Sequence, residues 1–448
     1  MSKLVKILIV IIAFITTCRI TYAYSIDNAI SDSGVNRGAI AISVKNADTG
    51  KTLYELHQKR PMIPASTLKL VTYTAAVDTL GQDFKFKTEL YKNTNNEVYL
   101  KLGADPFLTT NDLEKLIGNA VSKKIVEPKK FYIDDFVIDS VEWGEGWQWD
   151  DEMNPLMPKF SSYNLDKNLL NVFIEPTQKG APAQIYLSIF YPLTFLNLVT
   201  TGEVNDVQFS RKNFITPDVI TAEGTVEKQF VIKIPTNYPK RYFMLRLEDA
   251  IREKHMDYYN GFKQAKLPQK DVYLVDMTEH ELALATEAIL KESNNFVTET
   301  LFKVAGGKFV NNTGSIEHAK QMLDAYIEKN KLNAADIRVV DGSGVSKNNL
   351  MTADFMTDFL AKEAKNENLV NNLPIPSEGT LAHRMLYFKD NLKAKTGTCS
   401  DVSAIAGYLK TQRGNNVVFD IMINDSKSSP ADKKMLEEYV LRAVYSNY

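Results

Sequence analysis

The chain has 448 residues, 44% of them hydrophobic and 24% charged, with a net charge of −2. That length is too great for one small core and implies two or three domains. Nothing in the near-neutral balance points to nucleic acid, which would favour a basic face, and it suits a small-molecule or peptide substrate.

Residues 1–23 read as a secretory signal. Lys3 and Lys6 form a basic start, Ile7 to Cys18 an apolar core of 12 positions, and Thr21-Tyr22-Ala23 a small-x-small cleavage site. The apolar core is shorter than the roughly 20 residues of a spanning helix. An uncleaved anchor is the competing reading. A lipoprotein would use Cys18, which Thr17 disfavours. Cleavage would remove three of the 53 basic groups and none of the 55 acidic ones, leaving a net charge of −5. The expected location is outside the cytoplasmic membrane, in the periplasm. The mature chain then keeps one thiol, Cys399, and no internal disulfide. The histidines at 57, 255, 280, 318 and 383 show no ligand spacing, so neither a metal site nor a cofactor is expected.

Ala39 to Val44 and Lys51 to Leu56 read as strands around the turn Asp48-Thr49-Gly50. Pro64 blocks an earlier helix start, and a largely buried helix is expected from Ser66 to Gly81. Residues 86–261 carry short β-like runs (Val98 to Leu102, Lys130 to Ile138, Gln184 to Tyr191, Gln229 to Ile234). We read them as a mostly β insertion of one or two nested modules. Helical periodicity returns over Glu279 to Glu292, with Leu282, Ala285 and Ile289 on one face, and over Phe296 to Val304. Ser403 to Leu409 and Val417 to Ile423 read as strands. Ser429-Pro430 starts a final helix with Met435, Leu436, Tyr439 and Val440 facing inward. One α/β (α+β) domain made from 24–85 and 262–448 is therefore expected, with 86–261 inserted.

Three motifs carry chemistry. In P-A-S-T-L-K-L, Ser66 and Lys69 stand three residues apart on one helical face. A lysine made neutral by burial could take the serine proton. The bland alternative is an N-cap serine with a solvated lysine, and the spacing alone favours it. Ser66, however, is the one serine with lysine at +3, and Lys69 lies among Leu68, Leu70 and Val71. A-K-T-G-T, Ala394 to Thr398, precedes an apolar strand. It offers a cation (Lys395), a hydroxyl (Thr396), a glycine for close approach (Gly397) and the Thr398 amide as an oxyanion donor beside that of Ser66. By itself it is equally a plain turn. An S-x-N pair fits at Ser162/Asn164, Ser293/Asn295 and Ser346/Asn348. The second falls at a helix junction, where two polar side chains can enter a cleft.

Together S-T-L-K, S-N-N and K-T-G resemble the penicillin-binding, serine-acyl-transfer superfamily. The chain is similar to the class C low-molecular-mass penicillin-binding proteins, the D-alanyl-D-alanine carboxypeptidase/endopeptidases. The resemblance covers nearly all of the mature chain, through G-A-D-P-F-L, G-W-Q-W-D-D, V-V-D-G-S-G-V-S and E-G-T-L-A-H-R, and it includes the large insertion. It implies a transpeptidase-like fold and an exported serine peptidase acting on peptidoglycan stem peptides, acylated at Ser66 and inhibited by β-lactams. It selects Ser293 and Asn295 as proton relay and substrate-amide binder. It also implies that Asp151 and Lys347 stand where relatives bind a zwitterionic side-chain end. There Lys347 keeps the charge of the usual arginine but not its fork. The three tryptophans at 143, 147 and 149 make a packing role for Asp151 equally admissible. A serine β-lactamase and a non-catalytic wall-binding relative are the alternatives. Peripheral membrane or wall association and the oligomeric state stay open.

Overall fold

The two ends of the chain close one sheet. The structure is a computed structural model describing residues 24–211 and 218–448, so the expected secretory segment 1–23 lies outside the described residues. The chain begins α1 (Ile26–Ser33), β1 (Ile40–Asn46), β2 (Thr52–Leu56), a 3-10 turn (Ala65–Leu68) and α2 (Lys69–Leu80). It continues β3 (Lys85–Asn93), β4 (Glu97–Lys101), α3 (Thr110–Ser122), β5 (Lys130–Asp134), β6 (Leu169–Glu175), β7 (Gln184–Leu187), β8 (Thr194–Thr201) and β9 (Asp206–Ser210). Then follow β10 (Val219–Val226), β11 (Phe230–Pro235), α4 (Pro239–Glu253), β12 (Phe262–Gln264) and β13 (Val272–Glu281). The last part is α5 (Leu282–Leu290), α6 (Asn295–Val310), α7 (Ile316–Lys329), α8 (Ala353–Lys362), α9 (Glu367–Asn372), β14 (Leu392–Cys399), β15 (Val402–Lys410), β16 (Asn416–Asn424) and α10 (Pro430–Asn447).

The central sheet has the order β14-β15-β16-β1-β2 and is antiparallel throughout. Ile40 lies opposite Ile423 and Asn46 opposite Val417, so the first strand is held by the last. Residues 417–423 are all buried, because helices cover both faces. On one face Ile30 of α1 and Leu436, Val440 and Leu441 of α10 pack on Ile42, Ile405 and Phe419. On the other, Ala353 of α8 meets Ala41, Ala404 and Met422, while Ala406 and Val418 join the core of α2, α5, α6 and α7. A fully buried Leu, Val or Ile stabilises by roughly 1.5–3 kcal/mol. Ser429 and Asp432 form a capping box at the start of α10, as the Ser-Pro signal implies. Leu436 and Val440 are buried. Met435, expected inward, is exposed, and Tyr439 only packs at the margin.

The insertion differs from the sequence reading in two ways. It is mostly β, as expected, but two helices not foreseen, α3 and α4, supply much of its core through Leu113, Leu116, Ile117, Phe243, Leu247 and Ile251. The signals for α3 are a Thr109/Asp112 capping box and apolar positions at helical spacing; Pro239 at the first turn marks α4. In addition, β13 pairs along β3, with Glu281 opposite Lys85, in the sheet β12-β5-β4-β3-β13. We therefore place the return to the first lobe at Glu281/Leu282 rather than at residue 262. Two three-stranded sheets, β8-β10-β9 and β11-β6-β7, complete the insertion.

Candidate active site

The turn that carries Ser66 is not a conventional helix start. Ser66 lies in the 3-10 turn Ala65–Leu68, whose cap is Pro64, and α2 begins at Lys69. Ser66 makes no side-chain cap bond there, so the N-cap reading of this serine is set aside. Ala65 adopts φ +47°, a left-handed conformation costing an alanine about 1 kcal/mol. Gly344 makes this turn possible: a Cβ at 344 would lie 2.0 Å from the Ala65 carbonyl oxygen.

Lys69 is fully buried. Its Nζ donates to Ser66 Oγ at 2.8 Å, Asn295 Oδ1 at 2.7 Å and the Ser343 carbonyl at 2.7 Å. Burial pushes the amine down to about 7, against the opposing pull of Asp341 and Glu299. Lys395 is equally buried on β14. Its Nζ donates to Ser293 Oγ at 2.7 Å and the Thr396 carbonyl at 3.0 Å. Burial first, and then the neighbouring Lys69, hold it well below the usual lysine range. Ser293 stands at the α5–α6 junction with φ +61°, a second left-handed residue in the site. Asn294 caps α6 by accepting from the Val297 amide at 3.0 Å, so the next residue, Asn295, enters the helix aimed at Lys69. Asn295 Nδ2 donates to the Leu156 carbonyl at 3.1 Å, which ties the insertion to the site.

Ser66, Lys69, Ser293, Asn295 and Lys395 thus meet from four elements, with Ser66, Ser293 and Asn295 only half-buried and so within reach of a substrate. Thr396 is buried, Gly397 lies against the turn that carries Ser66 and Thr398 is exposed at the strand end. The other two S-x-N matches are structural. Ser162 Oγ donates to the Asp135 carbonyl at 2.7 Å, and Ser346 Oγ accepts from the Asn348 amide at 3.2 Å.

The outer pair behaves differently. Asp151 is half-buried in a 3-10 turn (Trp149–Met153), and burial, then Asp150, raises its carboxyl above the usual range while Lys347 opposes. Lys347 is exposed and its nearest acid is Asp401 at 3.7 Å. Trp147 is the packing anchor of its segment: it stacks edge-on against Trp143 and Phe160, and its Nε1 donates to Asp341 Oδ2 at 2.8 Å. Cys399 ends β14, and burial pushes its thiol up to about 11, which makes it a poor nucleophile.

Three residues around Lys69 escape a reading of the motifs alone: Ser343, Glu299 and Asp341. Glu299 follows Asn295 by four residues on α6, and that helical spacing was the available signal. Among the described residues no group of three or more His, Cys, Asp or Glu could hold a metal ion, and no helix is long and apolar enough to cross a membrane.

Comparison with known proteins agrees with this architecture. The sequence model of the D-Ala-D-Ala carboxypeptidase 3 (S13) family matches residues 22–443. A D-alanyl-D-alanine carboxypeptidase of Actinomadura sp. (strain R39) is 25% identical over 457 residues, covering 94% of this chain and 84% of the relative. The D-alanyl-D-alanine carboxypeptidase DacB of Haemophilus influenzae is 22% identical, covering 90% and 88%. The crystal structure of penicillin binding protein 4 (dacB) from Haemophilus influenzae superposes with a TM-score of 0.82 at 22% identity, over 93% of this chain and 99% of that one. The same protein complexed with a β-lactam gives 0.77 at 20% identity, over 94% and 99%. The fold expected from the sequence is the fold found.

Proposed function

The chain belongs to the D-Ala-D-Ala carboxypeptidase 3 (S13) family, and from that membership we propose how its own residues carry out acyl transfer. Lys69, neutral near pH 7, takes the proton of Ser66 as its Oγ attacks the carbonyl of the penultimate D-Ala. The tetrahedral oxyanion rests on the backbone N–H groups of Ser66 and Thr398. Ser293, beside Lys395, passes the proton to the leaving amine, which departs as D-Ala or as the amine of a cross-linked stem. Asn295 holds the substrate amide and Thr396 the terminal carboxylate. Water then hydrolyses the ester on Ser66 and returns the proton through the same groups.

The observation that carries this reading is the fully buried Lys69 amine, held at 2.8 Å from Ser66 Oγ and displaced to about 7. A solvated surface lysine would have neither property. The substrate is a peptidoglycan stem peptide, and β-lactams acylate Ser66 because their amide mimics the acyl-D-Ala-D-Ala bond. The β-lactam complex of the Haemophilus influenzae relative supports that extension. The pattern of residues 1–23 supports export, with action outside the cytoplasmic membrane. Asp151, with Lys347, reads the third residue of the stem. Kinetics on a penicillin and a stem peptide test the assignment. A peptidase releases D-Ala with multiple turnovers and shows a penicillin burst followed by slow release. Fast penicillin turnover without D-Ala release would identify a β-lactamase instead.

A further inference from the structure

The acyl-transfer scheme uses no carboxylate, yet two fully buried ones, Glu299 and Asp341, stand behind the lysine. Glu299 spans two successive amides of the 341–346 loop. Its Oε1 accepts from Ser343 N–H at 2.7 Å and its Oε2 from Gly342 N–H at 3.1 Å. The carbonyl of Ser343 is one of the three acceptors of Lys69. From α2, Thr72 Oγ1 donates to the Gly342 carbonyl at 2.7 Å and pins the same peptide. Asp341 has a different task. It accepts from the Gly344 amide at 2.8 Å, the Ser346 amide at 2.7 Å, Asn349 Nδ2 at 2.8 Å and Trp147 Nε1 at 2.8 Å, which folds the loop on its far side.

We propose that Glu299 is a positioning residue for the general base: it clamps the Gly342 and Ser343 amides and so fixes the Ser343 carbonyl that aims Lys69 at Ser66. This rests on the reading of Lys69 as that base. One helix then supplies both constraints, because α6 delivers Asn295 Oδ1 to Lys69 and, a turn later, the carboxylate that holds its carbonyl partner. The charge matters as well as the clamp. The charged groups facing this pair are Lys69 from α2, Asp341 from the loop and, beyond Lys69, Lys395 from β14. Lys303, also on α6, pairs with Asp139 instead. Burial, followed by Asp341, raises the Glu299 carboxyl to about 7. Above that pH its negative charge favours the ammonium form of Lys69. Removing the charge therefore frees the amine at lower pH.

The test is the rate of acylation by a fluorescent penicillin between pH 5.5 and 9.5, on the full chain and its Glu299→Gln and Glu299→Asp variants. Glutamine offers one acceptor to two amides. Its plateau is expected to fall on the order of tenfold or more as the aim is lost, and its acid limb to move down by about one pH unit. Aspartate keeps the charge, so its limb stays in place while its plateau falls. A Glu299→Gln profile of wild-type shape, whatever its height, overturns the proposal, since a purely structural role would leave the limb unmoved. If Glu299→Gln does not fold, Glu299→Asp decides: a wild-type plateau overturns the proposal and a lowered plateau at an unchanged melting temperature supports it. Mapping the labelled peptide separates the two failures. Label away from Ser66 defeats the nucleophile assignment, whereas a Ser66-labelled Glu299→Gln variant with an unmoved limb defeats the positioning role alone.

Discussion

Gly397 of β14 faces the backbone of Ser66: a Cβ at 397 would lie 2.9 Å from the Ser66 amide nitrogen and 2.9 Å from the Pro64 carbonyl oxygen. Both atoms are main chain, so neither can swing aside. Gly397→Ala must push the strand from the turn that carries Ser66 and separate the two proposed oxyanion donors. Acylation by penicillin is expected to fall about 100-fold, with a stability cost of about 1–3 kcal/mol. Stopped-flow acylation and a thermal melt check both. Unchanged acylation would remove β14 from the oxyanion role.

Acylation should depend on pH in one direction. With Lys69 displaced to about 7, the neutral amine accumulates as pH rises through that value, so the rate climbs and then levels off. Lys69→Arg keeps a cation that cannot lose its proton. It is expected to lose 10²- to 10⁴-fold at every pH measured, a loss typical of removing a general base. A variant that regains activity at high pH would contradict the assignment.

Substrate selection tests the outer pair. Asp151→Ala should reduce cleavage of stem peptides bearing a zwitterionic third side chain by about tenfold while changing simple acyl-D-Ala-D-Ala analogues little. Lys347 pairs with Asp401 at 3.7 Å and acts on Asp151 only at longer range. Asp401→Asn is therefore expected to strengthen the same preference. Equal losses on both substrates would make Asp151 a packing residue.

Asp420 is a stability prediction outside the site. It is fully buried in the middle of β16, and among the described residues neither carboxyl oxygen has a well-formed hydrogen-bond partner, the Ile421 amide giving only a weak opposing pull. Burial raises its carboxyl well above the usual range, with Glu437 adding to the effect. In the unfolded chain the group ionises near pH 4, whereas in the folded protein burial holds the proton to higher pH. Its cost is therefore absent below pH 4 and grows as pH rises toward the folded value, at about 1.4 kcal/mol per unit. Asp420→Asn should raise the melting temperature at pH 8 and not at pH 4. A gain independent of pH would show that shape, not charge, is at issue.

The candidate motifs are legible from local spacing, because Ser66 and Lys69 stand three residues apart across one turn and its following helix and the Lys395-Thr396-Gly397 run lies on one strand. Ser293 and Asn295 needed more: three S-x-N pairs looked alike, and the tertiary partner that distinguishes them, Lys395, is about a hundred residues away in the chain. For Glu299 the sequence offers only its four-residue spacing from Asn295 on α6, because Glu299 and Asp341 bind backbone amides of the 341–346 loop, and amides carry no sequence pattern. The central strands were legible from runs of apolar residues. The helices α3 and α4 were overlooked because their capping signals sit among β-like runs. The pairing of β3 with β13 is non-local, so the sequence carries no local signal for the return of the chain at Glu281.

The most direct measurement is the mass spectrum of the proteolytic peptide spanning Ser66 after brief exposure to a penicillin. The account predicts that this peptide gains the full mass of the β-lactam, that the adduct maps to Ser66 Oγ, and that Ser66→Ala carries no adduct and releases no D-Ala. An adduct on any other residue, or D-Ala release that survives Ser66→Ala, would contradict it.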